Sequence, residues 1–129
     1  MRKIAIGFML GCYSALAFAS QLTPEALVRA DVKARETTLD GMQMQIDLRQ
    51  QSASPDALMQ ASMANQTAVG AVFTAYGTTG ARHSAEWTQQ REAVDEWLTA
   101  HFDWQQTYQN LNAKFQSLAQ QLDSLRTGP

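Results

Sequence analysis

The sequence predicts an all-α fold, an antiparallel helical bundle. Four helices, at about 24–51, 55–76, 84–100 and 103–126, are the preferred arrangement; three helices with one long C-terminal helix are the alternative. Three observations lead there. Helix-start signals recur at Thr23-Pro24-Glu25 and Ser54-Pro55-Asp56, each pairing an N-cap residue with a proline at the first helical position and an acid in the first turn. Apolar residues recur at alternating four- and three-residue spacing over most of the chain, which lines up one helix face. Residues 84–126 contain neither glycine nor proline, so nothing local interrupts a helix there.

The first helix begins at Pro24, and its stripe is Val28, Val32, Leu39, Met42 and Ile46, with Arg35 filling the gap. The second begins at Pro55 with the stripe Leu58/Met59, Met63, Val69, Val72/Phe73 and Tyr76. Gly77-Thr78-Thr79-Gly80 ends it, with Gly77 as the left-handed cap. Gly70 interrupts the stripe, which suits close approach by a bulky neighbour.

The third stretch carries Trp87, Arg91, Val94, Leu98, His101, Trp104, Tyr108, Leu111, Phe115, Leu118, Leu122 and Leu125. One residue is missing from the four-three register between His101 and Trp104, and Asp103 with Gln106 could form a capping pair there. The chain therefore either turns near 100–103 or continues as one 43-residue helix. Such a helix would be about 64 Å long against about 42 Å for the first. Its overhang would expose the leucines and Phe115, each of which stabilises by about 1.5–3 kcal/mol when buried. Folding back covers them within one chain; a dimer through the overhang covers them between chains.

Residues 1–19 read as a secretory signal peptide: Met1-Arg2-Lys3, a mostly apolar run from Ile4 to Leu16, then Ala17-Phe18-Ala19 before Ser20. The rest, 20–129, is expected to be a single domain. The only cysteine, Cys12, lies within the signal. Met9-Leu10-Gly11-Cys12 is an imperfect lipoprotein box, so the alternative is an anchor through a lipidated Cys12. The expected location is periplasmic or secreted, with no stable membrane span after cleavage. Cleavage leaves 8 Lys+Arg against 12 Asp+Glu, a charge of −4; with no basic excess, nucleic acid is not an expected partner.

Aromatic residues are distributed unevenly. Between Ser20 and Val72 there is none, while Trp87, Trp97, Phe102, Trp104 and Tyr108 crowd one stretch. One end of the bundle should have an aromatic core and the other a Met/Leu/Val core. Since one helix face cannot bury Trp97, Phe102 and Trp104 together, some of these rings should be exposed.

Catalytic constellations are missing. After residue 19 there is no cysteine, no Gly-x-Ser-x-Gly and no Cys-x-x-Cys-His for covalent haem. His83 and His101 lack ligand spacing for zinc; His83 reads as a surface loop residue, His101 as an interfacial one. Glu92, Asp95, Glu96 and Asp103 read as a solvated face, available to a basic partner. Met42, Met44, Met59 and Met63, with His101, offer soft ligands that would suit Cu(I), although Met42 and Met63 on core stripes read as packing.

No enzyme activity and no cofactor are expected. By elimination, the expected role is a non-enzymatic binding module: an envelope adaptor, an inhibitor or immunity-type protein, or a subunit of a secretion or surface assembly. Its partner would be another envelope protein, with Trp97, Phe102, Trp104, Glu92, Asp95 and Glu96 as the candidate contact residues, since aromatics dominate interface hot spots. The alternatives are a periplasmic small-ligand or Cu(I) carrier and self-association through the C-terminal heptads.

Overall fold

The computed structural model describes residues 21–126; the expected signal peptide, its cleavage site and Cys12 lie outside the described residues. The fold is all-α, with α1 (Pro24–Gln50), α2 (Pro55–Ala75), α3 (Gly80–Gln89), α4 (Arg91–Ala100) and α5 (Phe102–Arg126). Among the described residues no helix is long and apolar enough to cross a membrane.

The helix starts follow the local signals. Thr23 Oγ1 accepts a hydrogen bond from the Ala26 amide at 3.1 Å, and Ser54 Oγ accepts from Ala57 at 3.2 Å, each satisfying an amide that the first turn leaves open. A third start was not anticipated. Thr79 Oγ1 accepts from the Arg82 amide at 3.2 Å, so α3 begins at Gly80 rather than at 84.

Two stops share one geometry. Gly77 has φ +73°, with Thr78 N–H bonded to Phe73 O and Gly77 N–H to Thr74 O. Ser52 has φ +56°, with Ala53 N–H bonded to Leu48 O and Ser52 N–H to Arg49 O. Both are Schellman motifs, but only the first places glycine at the left-handed position.

The expected third helix is two helices. Gln90 interrupts it at φ −105°, ψ 20°, and its side-chain amide donates to the Leu22 carbonyl at 2.9 Å. That bond to a distant segment holds a break which no local residue signals. The turn expected near 100–103 is at His101, φ −126° and ψ 80°. Gln105 Nε2 closes it by donating to Leu98 O at 2.7 Å, in place of the expected Asp103–Gln106 pair. With breaks at both Gln90 and His101, the single long C-terminal helix does not form, and the described residues make five helices rather than four.

The arrangement centres on α1. α2 runs antiparallel to it, tied by Asn65 Nδ2 to Thr37 O at 2.8 Å and Gln45 Nε2 to Leu58 O at 2.9 Å. α5 runs along the other side in the same direction as α1, since Tyr108 meets Asp31 while Leu118 packs with Leu39 and Ile46. α2 and α5 do not pack on each other. α3 and α4 cross the N-terminal end of α1, linking the end of α2 to the start of α5.

Two apolar clusters result. Leu27, Val28, Val32 and Val94 gather Trp87, Trp97, Trp104 and Tyr108 around them; Leu39, Ile46 and Leu118 gather Met42, Leu111 and Leu122. An aromatic end and a Met/Leu/Ile end are thus distinct, but the valines expected at the second, Val28, Val32 and Val94, lie in the first. The C-terminal stripe finds its helical partner in α1, although Phe115 stays 50% exposed and Leu125 is also exposed.

The α2 interface departs most from expectation. No residue of α2 is buried, and Met59 and Met63 point away from α1. The half-buried side carries Leu58, Ala61, Asn65, Val69 and Val72, because the bond from Asn65 to the Thr37 carbonyl sets the helix rotation. The close-approach glycine is Gly41, where an added Cβ would collide with the Asn65 amide, and not Gly70, where it would meet nothing within 4 Å.

Two stability measurements test this architecture. In urea melts Gly77→Ala should destabilise by about 1–2 kcal/mol, the strain of a Cβ in the left-handed region, while Ser52→Gly should not destabilise, because it relieves the same strain. Leu118→Glu should destabilise by about 3 kcal/mol or more, since it buries an unpaired charge against Leu39 and Ile46. Unchanged melting of that variant would mean that α5 does not pack on α1 as described.

Candidate functional site

The α4–α5 joint brings the sequence-predicted aromatics together. The Trp97 ring stacks on His101 with centroids 3.9 Å apart and planes 17° from parallel. His101 Nδ1 lies 2.6 Å from Trp97 O; a carbonyl only accepts, so Nδ1 carries the proton. Trp104 tilts against Trp97 at 5.9 Å, and the Arg29 guanidinium sits 5.1 Å above the Trp104 ring. Both tryptophans are half-buried against the Leu27–Val94 cluster.

Phe102, between them in sequence, projects outward and is 63% exposed. His101 is exposed as well, as are Glu92, Asp95 and Glu96 on α4. The joint thus presents an uncovered ring and a stacked Trp–His pair, with a carboxylate-bearing helix leading into it.

His83 is a correction. Instead of lying on a surface loop it is buried on α3, with Nε2 donating to the Leu27 carbonyl at 2.8 Å. Its ring lies between Phe73 and Trp87, at centroid distances of 5.0 and 5.8 Å. Glu86 is buried on the same helix, and its Oε2 has no hydrogen-bond partner among the described residues. The polar positions 83, 86 and 90 fall at helical spacing on the side of α3 facing α1. Sequence reading missed this side because a buried helix face is ordinarily sought among apolar residues.

A second polar cluster joins α1 to α5. Asp31 Oδ2 accepts from the Tyr108 hydroxyl at 2.7 Å and from Arg35 Nε at 2.8 Å, while the Arg35 guanidinium lies 5.4 Å from the Tyr108 ring centre. Burial, reinforced by the bond to Asp31, keeps the Tyr108 hydroxyl protonated well above its ordinary range. Asp31, Arg35, His83, Trp87 and Arg91 contribute to the wall of one open cleft beside it.

The methionines do not converge with His101. Met42 packs beside Leu39 and Ile46, Met44 points to the α1–α2 groove, and Met59 and Met63 share the outer side of α2. Met63 lies level with Gly41 and His101 with the neighbourhood of Arg29, about 18 Å apart along α1 at 1.5 Å per residue. Among the described residues no group of three or more His, Cys, Asp or Glu side chains is placed to hold a metal ion.

Compared with known protein families, characterised proteins and solved structures, the chain matches none.

The Asp31–Tyr108 bond predicts a pH dependence. A hydroxyl whose folded-state pKa is raised adds stability that is fully present below its unfolded value, about 10, and lost as pH rises above it. Tyr108→Phe should therefore cost about 1 kcal/mol at neutral pH and remove part of the alkaline loss. Urea melts of both proteins across the alkaline range check this; parallel curves would contradict the assignment.

Proposed function

We propose that this chain is an exported, non-enzymatic helical module that docks a protein partner at the α4–α5 joint. The observation that carries the reading is Phe102, a large ring left in solvent beside a stacked Trp97–His101 pair and on the same chain segment as two packed tryptophans. A lone exposed ring is unremarkable, but rings with a rigid backing are the residues around which interface energy concentrates. Export is supported by the Arg2-Lys3, apolar run and Ala17-Phe18-Ala19 order at the N-terminus. The exposed Glu92, Asp95 and Glu96 favour a partner with basic residues around an apolar pocket.

A photoreactive phenylalanine analogue at position 102, introduced in the native host, should cross-link to a polypeptide other than a second copy of the chain. The same analogue at exposed Gln116 serves as the control. Phe102→Ala should abolish capture and change stability by less than about 0.5 kcal/mol. Trp97→Ala should cost about 3 kcal/mol, since its ring backs the core. A silent position 102 would sink this reading.

A further inference from the structure

Residues 57–81, which include nearly all of α2, are the longest uncharged run in the sequence. Between Asp56 and Arg82 the sequence has no charged residue, although the chain as a whole has 10 Lys+Arg and 12 Asp+Glu. No residue of α2 is buried. The side turned away from α1 carries Met59, Met63, Thr67, Gly70 and Thr74, spaced 4-4-3-4, which places them in one row along the helix. Met59 is 64% and Met63 61% exposed.

Gly70 is the second observation. Glycine weakens a helix interior relative to alanine, and its usual justification is another group approaching closely. Here an added Cβ would meet nothing within 4 Å, so no packing among the described residues requires it. Beside it lies an open depression of about 510 Å³, lined by Thr67, Gly70, Ala71, Thr74, Thr79 and Gly80.

We propose that this face binds a second copy of the chain, by antiparallel pairing of α2 with α2, so that Met63 of each copy seats over Gly70 of the other. The row is complementary to its own reverse. Turning it about the midpoint between Gln66 and Thr67 sets position 63 opposite 70 and position 59 opposite 74. The bulky half of each row then meets the small half of its partner, and the Met side chains enter the depression beside Gly70. A two-fold interface requires such self-complementarity.

Charge supports the same occupant. Two copies of a chain with net charge −2 repel across most pairs of faces. On this face they meet without bringing like charges together, and it carries no charge with which to select a different, charged partner. The proposal is independent of the joint, since α2 and α4 do not pack together.

Sedimentation of the full chain tests it. At about 100 μM, which fills any dimer of micromolar Kd, the chain should sediment as a dimer. Gly70→Leu fills the seat and should weaken association by about tenfold or more. The same change replaces glycine by a strong helix former, so the dilute monomer should melt no lower than wild type. Met63→Glu should also yield monomers with unchanged circular dichroism, whereas Gln116→Glu, outside the face, should remain a dimer. A wild-type monomer at that concentration overturns the proposal. So does a dimer that survives both α2 substitutions, or a photo-cross-linker at position 63 that captures only a different polypeptide.

Discussion

Everything in this fold packs through α1. Its buried residues, Leu27, Val28, Ala30, Val32, Ala34, Leu39 and Ile46, are spread around the helix rather than confined to one stripe. α2 and α5 have no contact with each other, so their relative position is set through α1 and, at its N-terminal end, through α3 and α4. A helix buried on several sides must satisfy several neighbours with one periodic sequence. Here the two flanks use different means.

On the α5 flank, branched apolar residues interlock: Val28 and Val32 with the aromatic cluster, Leu39 and Ile46 with Leu118. The α2 flank works by close approach. Gly41 leaves room for the Asn65 amide, which reaches the Thr37 carbonyl, and Gln45 returns a bond to the Leu58 carbonyl. Side-chain bonds to backbone carbonyls fix rotation and register but bury little apolar surface. This explains how α2 can be well placed on α1 while contributing no buried residue, and why its methionines remain in water.

The crossover of α3 and α4 depends on polar ties of the same kind. His83 reaches the Leu27 carbonyl and Gln90 the Leu22 carbonyl, both near the start of α1. The Gln90 tie and the local Gln105–Leu98 bond turn the chain at Gln90 and again at His101, without glycine or proline at either turn. The second turn, at His101, delivers Trp97 and Trp104 into the first core cluster and leaves Phe102 outside it.

The sequence by itself determined what is decided within one helical turn. Thr23-Pro24 and Ser54-Pro55 start helices because a hydroxyl and a proline suit the open first turn. Gly77 ends one because the left-handed position favours a residue without Cβ, and the lost residue in the four-three register marked the turn at His101. The grouping of Trp97, Phe102 and Trp104 was also legible, as was the separation of an aromatic end from a Met/Leu end, though not the placing of the valines. Tertiary structure alone decided which side of each helix would be covered. Periodicity states which residues share a face but not what lies opposite. The stripe containing Met59 and Met63 looked like core, yet the Asn65–Thr37 bond turned it outward. The break at Gln90 and the burial of His83 depend on carbonyls more than fifty residues away in the chain, and Ser52 adopts a glycine-like conformation because the short turn between α1 and α2 imposes it. The rotation of α2, the break at Gln90 and the burial of His83 are set by contacts distant in sequence, and local residue patterns carry no record of them.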